Sequence, residues 1–399
     1  MNNLKKVYCR IYQEVFHMAI PVLPYTEPKI LKGMGSIVPL LKKKGVESLL
    51  ILSGRTVHRH PLMQKLEKKL TEAEIRYEVY DKTVPNPTID NIEEAVKIYH
   101  EIDAQAILSI GGGSVMDCAK IVGARVARPH LPVQKMKGLL KIIRPTPLSI
   151  AIPTTAGSGS ETTLAAVITD SETHYKYPIN DFVLIPDYAI LVPQLTTGLP
   201  EMLTATTGMD ALTHAVEAYI GRSTTKLTRD MAEEAVCLIV KNLYRAYEKG
   251  EDKEARKNML RASYCSGVAF TRSYVGYVHA VAHSLGGQYG IAHGLANAII
   301  LPYFLEEYGT DCSEKLARLA RLSGIADKNA SDGRASAAFI SWIRRMNTLM
   351  GIPDKIPEIR REDIPEMAAR ADKEANPLYP VPKLMDKRAL GEMYERLMP

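Results

Sequence analysis

The feature that most constrains this chain is a change of period part-way along it. ESLLILSG (47–54), IRYEVYD (75–81), AQAILSIGGG (104–113) and LSIAIPTT (148–155) are short runs rich in Ile, Leu and Val that end near Gly or Thr. Between them, PLMQKLEKKLTEA and IDNIEEAVKIYHE carry apolar residues at helical spacing and charge on the other face. Strand–helix alternation of this kind specifies a parallel sheet covered by helices. After LVPQLTTGLPEM (191–202) the strand-like runs stop, and amphipathic helices follow one another, broken at GRSTT, KGEDKE, SGIADKNASDG and GIPDKIPEI. The expected architecture is an α/β N-terminal domain with a parallel sheet over residues 1–198, then an all-α domain over 199–399. In an open parallel sheet, ligands bind beyond the carboxyl ends of the strands, so the reactive site is expected in the cleft between the halves.

Charge and composition narrow the function classes. The net charge of +6 comes from 51 basic and 45 acidic residues and is spread along the chain. LKKKG (41–45) and QKMKGLLKIIR (134–144) read as solvated faces or loops, so no coherent basic stripe offers itself to nucleic acid. The longest apolar runs, such as ANAIILPYFL (296–305), are too short to span a bilayer, and no membrane association is expected. The N-terminus has a basic start but no small-residue cleavage site after an apolar core, which makes the cytoplasm the expected location. Cys9, Cys118, Cys237, Cys265 and Cys312 are scattered and lack CxxC spacing, so they read as reduced thiols.

Two strand ends are rich in glycine and hydroxyls. Gly111, Gly112 and Gly113 lead into SVMDCAKIVGARVA, where Ser114 and Asp117 fit an S-x-x-D capping pattern. Glycine lets the backbone approach a ligand, and the free N–H groups of a helix N-terminus favour phosphate. The same residues also fit a tight turn with its own cap, and the ordinary GxGxxG dinucleotide fingerprint is absent. PTTAGSGSETT (153–163) closes another strand with hydroxyl and glycine donors, and two such loops favour nucleotide binding.

VHAVAHSLGGQYGIAHG (278–294) holds three of the ten histidines, and GMDALTHAVEAY holds a fourth, His214, four residues after Asp210. Asp210 and His214 share a helix face, as do His279 and His283. On one straight helix His279 and His293 would lie about 21 Å apart, too far for one ion. They converge only if Gly286, Gly287 and Gly290 break the helix and turn the chain back. Imidazoles and a carboxylate without thiolate suit Fe(II) or Zn(II), and for any single histidine a buried or capping role competes. Ala280 stands where HExxH needs its glutamate, which removes the zinc-metalloprotease reading.

Taken together, PNPT (85–88), GGGSVMD (111–117), PTTAGSGSE (153–161), LPEMLTATTGMDALTHAVEAY (199–219) and GYVHAVAHSLGGQYGIAHGLANAIILP (276–302) resemble the iron-dependent (group III) alcohol dehydrogenases. The resemblance covers the chain from about Pro28 onward. It implies that Asp210, His214, His279 and His293 hold Fe(II) or Zn(II). It implies that the GGGS loop (Gly112, Gly113, Ser114, with Asp117) and the PTT loop (Thr154, Thr155, Ser158) hold NAD(H) or NADP(H), with Asn86 near the adenosine end and Lys176 a further candidate. His283 is then a non-ligand near nicotinamide and substrate that serves proton transfer. The implied activity is hydride transfer between NAD(P)(H) and a small primary alcohol or aldehyde, in a homo-oligomer, a dimer by expectation.

Three residues or segments depart from the family pattern. Ala292 stands where proline is common, about 25 N-terminal residues precede the usual start, and Gly54 ends its strand where many members carry an acid. An acid there bonds the ribose 2′-hydroxyl of NAD and repels the 2′-phosphate of NADP. Gly54, beside Ser53 and Arg55, therefore favours acceptance of NADP(H), with Arg55 either pairing a phosphate or merely solvated. Two competing functions stand beside this one. A polyol dehydrogenase or cyclase on the same scaffold would carry a smaller histidine set, and a non-catalytic nucleotide- or metal-binding protein would not need His283.

Overall fold

Apolar runs with β-branched residues become strands wherever both faces can be covered, and the N-terminal half of the chain supplies both covers. In the computed structural model, which describes residues 1–170 and 176–399, the strands are β1 (Lys29–Ile30), β2 (Ser48–Ser53), β3 (Arg76–Tyr80), β4 (Ala106–Gly111), β5 (Gly138–Leu139), β6 (Leu148–Pro153), β7 (Ala165–Thr169), β8 (Lys176–Asn180) and β9 (Tyr188–Ala189). Six of them form one sheet in the order β1-β9-β6-β4-β2-β3, and every pairing in it is parallel. A second sheet, β5-β8-β7, joins one parallel and one antiparallel pair.

Alternate residues of the central strands feed two cores. Leu50, Leu52 and Ile107 point into a cluster with Ile92, Val96, Ile121 and Val122, while Leu49, Ile51, Leu108 and Ile110 point into one with Leu41, Met63, Leu66 and Leu70. The covering helices, after α1 (Asn3–Ala19), are α2 (Ile37–Lys43), α3 (Arg55–His58), α4 (Pro61–Glu72), α5 (Ile89–Glu101) and α6 (Gly113–Ala127).

No strand follows β9. The helices are α7 (Glu201–Ile220), α8 (Lys226–Glu248), α9 (Lys253–Ser273), α10 (Tyr277–Tyr289), α11 (His293–Tyr308), α12 (Ser313–Ser323), α13 (Asp332–Leu349), α14 (Ile364–Ala375) and α15 (Lys387–Leu397). Among the described residues, no helix is long and apolar enough to cross a membrane.

The chain divides into two compact units, Pro24–Gly198 and Met1–Leu23 together with Leu199–Pro399. This corrects the expected assignment of residues 1–23 to the α/β domain: α1 belongs to the helical unit. Gln13 donates to the Tyr379 carbonyl at 2.7 Å, and Arg10 donates to the Val381 and Pro382 carbonyls at 2.7 Å each. Cys9 and Gln13 are buried there, and Phe16 meets Tyr274 edge-on. A sequence reading had no way to see these partners, which lie more than 250 residues away.

Candidate functional site

In the helical unit, α7 carries Asp210 and His214 one turn apart, α10 carries His279 and His283, and α11 begins at His293. The turn that makes this possible is shorter than the sequence suggests. Gly286 and Gly287 stay inside α10, and Gly290 alone ends it, in the left-handed conformation (φ +71°), with its N–H bonded to the Gly286 carbonyl. The expectation that all three glycines break the helix is therefore corrected. One glycine at the C-cap suffices, because only there does the backbone need positive φ.

The result is a tight donor set. One ligand atom from each of Asp210, His214, His279 and His293 lies within 4.8 Å of the other three. Ligands each about 2.0–2.2 Å from one ion stand about 3–4.4 Å apart, so shifts of tenths of an ångström suffice to fit a cation. Asp210, His214 and His279 are buried, whereas His293 exposes 41 % of its side chain, so the set is accessible from the His293 side. Burial, with the neighbouring imidazoles, holds His279 well below the ordinary histidine range. Burial outweighs the Asp210 carboxylate at His293 and brings its pKa to about 4. Both imidazoles are thus neutral at pH 7, the form that ligates a metal. Phe270 stacks on His214 at 4.2 Å and 15°, fixing that ring's plane.

Two residues that the sequence reading did not single out hold the set in place. Glu217 accepts from the N–H groups of Gly276 (2.8 Å) and Val278 (2.9 Å), and one of its oxygens lies 2.6 Å from His279 Nδ1. It is fully buried, which pushes its pKa up to about 7 against those backbone bonds. With Nδ1 bonded to Glu217, His279 turns Nε2 towards the cluster, an arrangement that commonly orients metal-bound histidines. Asn297, one turn after His293, places its amide nitrogen 2.7 Å from Asp210 Oδ1, 3.1 Å from His293 Nε2 and 3.2 Å from His279 Nε2. A signal for Glu217 was present: 210, 214 and 217 fall on one face of a helix. Asn297 follows His293 at the same i, i+4 spacing.

His283 stands beside this group and is not one of the four. Its ring stacks on His293 at 5.1 Å, and its Nδ1 lies 2.7 Å from Glu374 Oε1, which also accepts from the Tyr379 hydroxyl at 2.8 Å. Burial works to lower its pKa, but the Glu374 carboxylate prevails and raises it. Glu374 lies 91 residues away, and no local pattern announced it.

In the α/β unit, parallel pairing brings the strand ends to one edge, since Ser53 is opposite Ile110 and Gly111 opposite Pro153. The chain leaves β2 for β3 on one side and returns with β4 on the other, so this edge carries the switch in strand order. The glycine loop and the PTT loop touch. A Cβ added to Gly112 would lie 3.4 Å from Thr155 Oγ1, and one added to Gly113 would lie 3.0 Å from Ser158 Oγ. Thr154 N–H donates to the Gly111 carbonyl at 2.9 Å.

The expected Ser114–Asp117 cap is corrected. Gly112 is the N-cap of α6, with no side-chain bond to the helix. Ser114 lies inside the first turn, where its Oγ accepts from Asn86 N–H at 3.3 Å. Asp117 instead accepts from Ser160 Oγ (2.7 Å) and Val167 N–H (2.9 Å), a structural bracket that ties α6 to the PTT loop and β7. Asn86 is exposed at φ +57°. Lys176 pairs with Thr169, which bridges to Thr88, two residues from Asn86. Gly54 lies just past β2 with open space where a Cβ would project, Arg55 is exposed, and Ser53, the last residue of β2, is buried with no hydrogen-bond partner for its hydroxyl.

Both halves match known families. Residues 28–193 match the iron-containing alcohol dehydrogenase model, and residues 204–398 match the C-terminal model of the Fe-containing alcohol dehydrogenase family. The chain is 35 % identical to an NAD-dependent methanol dehydrogenase of Bacillus methanolicus over 87 % of its length and 92 % of the relative's. It is 33 % identical to an NADPH-dependent butanol dehydrogenase of Clostridium saccharobutylicum, covering 84 % and 87 %. A solved 1,3-propanediol oxidoreductase superposes with a TM-score of 0.89 at 32 % identity, over 94 % of this chain and 99 % of that one. With both halves matched in order and the four-residue donor set formed, the chain belongs to the iron-containing alcohol dehydrogenase family, whose members are NAD(P)-dependent alcohol and aldehyde oxidoreductases.

Proposed function

We propose that Asp210, His214, His279 and His293 hold one divalent transition metal, Fe(II) or Zn(II), and that the chain interconverts small aldehydes and primary alcohols with NAD(P)(H). The observation that carries this reading is the convergence of three imidazoles and a carboxylate within 4.8 Å, from three helices. When bound, the metal supplies Lewis-acid polarisation of a carbonyl oxygen, and the nicotinamide supplies or accepts the hydride.

The chain's own residues do the rest. Glu217 holds His279 in the tautomer that offers Nε2. Glu374 holds His283 Nδ1, and this pair stores the proton that the alcohol oxygen gains or loses. The uncapped first turn of α6, with Gly112, Gly113 and Ser114, takes the pyrophosphate through backbone N–H groups, and Thr154, Thr155 and Ser158 add hydroxyl donors. Asn86 and Lys176 lie at the adenosine end. Asp117 acts on the cofactor through Ser160 and α6, not by contact. The enzyme is read as a homo-oligomer without affinity for nucleic acid.

The test compares metal content, nucleotide binding and turnover in His279→Ala and His283→Ala, prepared anaerobically. His279→Ala is expected to lose metal and turnover together while still binding nucleotide. His283→Ala is expected to keep its metal and lose turnover. Full activity of metal-free protein in EDTA overturns the metal assignment, and stoichiometric metal loss in His283→Ala moves that residue into the ligand set.

A further inference from the structure

We propose that the outward face of α1 is a self-association seam through which two copies of this chain pair. Leu4, Tyr8, Ile11, Val15 and Met18 of α1, with Val22 in the 3-10 turn that continues it, repeat at spacings of 4, 3, 4, 3 and 4. That is a 3.5-residue repeat, the pattern that keeps one line of side chains facing a partner helix. All six are exposed, from 57 % at Val15 to 82 % at Val22. The opposite face is fixed to the helical unit: Gln13 and Arg10 bond the backbone at 377–382, Lys5 pairs with Asp372 at 2.9 Å, and Cys9 and Ile20 are buried. The stripe is thus presented on a seated helix.

The size and chemistry of the stripe favour a second copy. With Val7 and Tyr12 flanking it, the stripe exposes roughly 900 Å² of side chain, above the few hundred Å² usual for a monomer's patch and close to the ~800 Å² that each partner buries in a standard interface. A single line of this kind is self-complementary, as a two-fold interface requires. A lipid surface fits less well, because an interfacial helix needs free cations beside its apolar face. Of the three Lys and Arg residues of α1, Arg10 is committed to two carbonyls and Lys5 to Asp372, which leaves Lys6 as a single cation on a helix that also exposes the acidic Glu14. The helix also lies outside both family-model matches, 28–193 and 204–398, so the seam is not part of the shared catalytic frame.

The proposal rests on the reading of the chain as a homo-oligomer, and the test separates the two. Sedimentation of the full-length protein is compared with Ile11→Lys/Val15→Lys and Ile11→Glu/Val15→Glu, two double variants at the centre of the seam. Each variant alone is expected to need roughly a hundredfold higher concentration to associate, with secondary structure and turnover retained. Mixing the Lys and Glu variants is expected to restore association, which a merely misfolded helix would not do. A monomeric unmodified protein overturns both seam and homo-oligomer. Association in each variant equal to the unmodified protein's overturns the seam alone. Seam-dependent binding to phosphatidylglycerol vesicles, without seam-dependent sedimentation, assigns the stripe to a lipid surface instead.

Discussion

Glu217 shows how much of this site depends on a residue that touches no substrate. One buried carboxylate receives two N–H groups from the first turn of α10 and faces the ring nitrogen of His279, so helix position and tautomer are set together. Partners of this kind typically contribute 10–100-fold to metal affinity. Glu217→Gln keeps the volume but loses the charge, and is expected to weaken metal retention by about that factor while the helix content stays. Competition against a chelator measures it, and unchanged retention would mean that His279 is held without Glu217. Gly54 decides in the opposite way, by what is missing. Nothing lies within 4 Å of a Cβ built there, so a carboxylate fits without strain and would meet a ribose 2′-phosphate with repulsion. NADPH should therefore serve at least as well as NADH, and Gly54→Asp should shift kcat/KM towards NADH by tenfold or more. A strong NADH preference in the unmodified enzyme refutes this.

At the scale of elements, what could be read from the sequence divides by range. The strands, the helices and the end of the sheet at about residue 190 follow from local period, and the i, i+4 pairs on α7 and α10 follow from helix geometry. The turn between His279 and His293 was legible as a need, but not in its execution, because three glycines looked alike while only Gly290 requires positive φ. The Ser114 cap failed for a related reason: Gly112 starts the helix two residues earlier, and long-range partners claim Ser114 and Asp117. Packing also explains a glycine that the motif reading passed over. A Cβ on Gly294 would lie 2.6 Å from the Thr206 carbonyl oxygen and 3.3 Å from Asp210 Cβ, so the N-terminus of α11 seats against α7 only without a side chain there. Gly294→Ala is expected to destabilise the helical unit by about 1–3 kcal/mol and to displace the adjacent His293. A variant whose stability and metal content both equal the parent's would show that the two helices yield at this point.

At the scale of the molecule, three of the helices that build the helical unit each contribute to one donor set, whereas the α/β unit contributes none of the four residues. A metal that binds the folded set and not the unfolded chain stabilises by about 4 kcal/mol when free metal exceeds its Kd a thousandfold. For a unit of roughly 200 residues that corresponds to a rise in Tm on the order of 10 °C. The single tryptophan, Trp342, lies on α13, so its fluorescence reports the helical unit and not the sheet. Stripping the metal with a chelator is therefore expected to lower the Trp342 transition by about that amount, and Fe(II) or Zn(II) added back should restore it. His279→Ala should start at the low value and stay there with metal present. The comparison distinguishes a ligand set from three histidines and an aspartate that merely pack together, because packing alone gives no dependence on the ion. A Trp342 transition that stays fixed while metal is removed would separate the ion from these four residues.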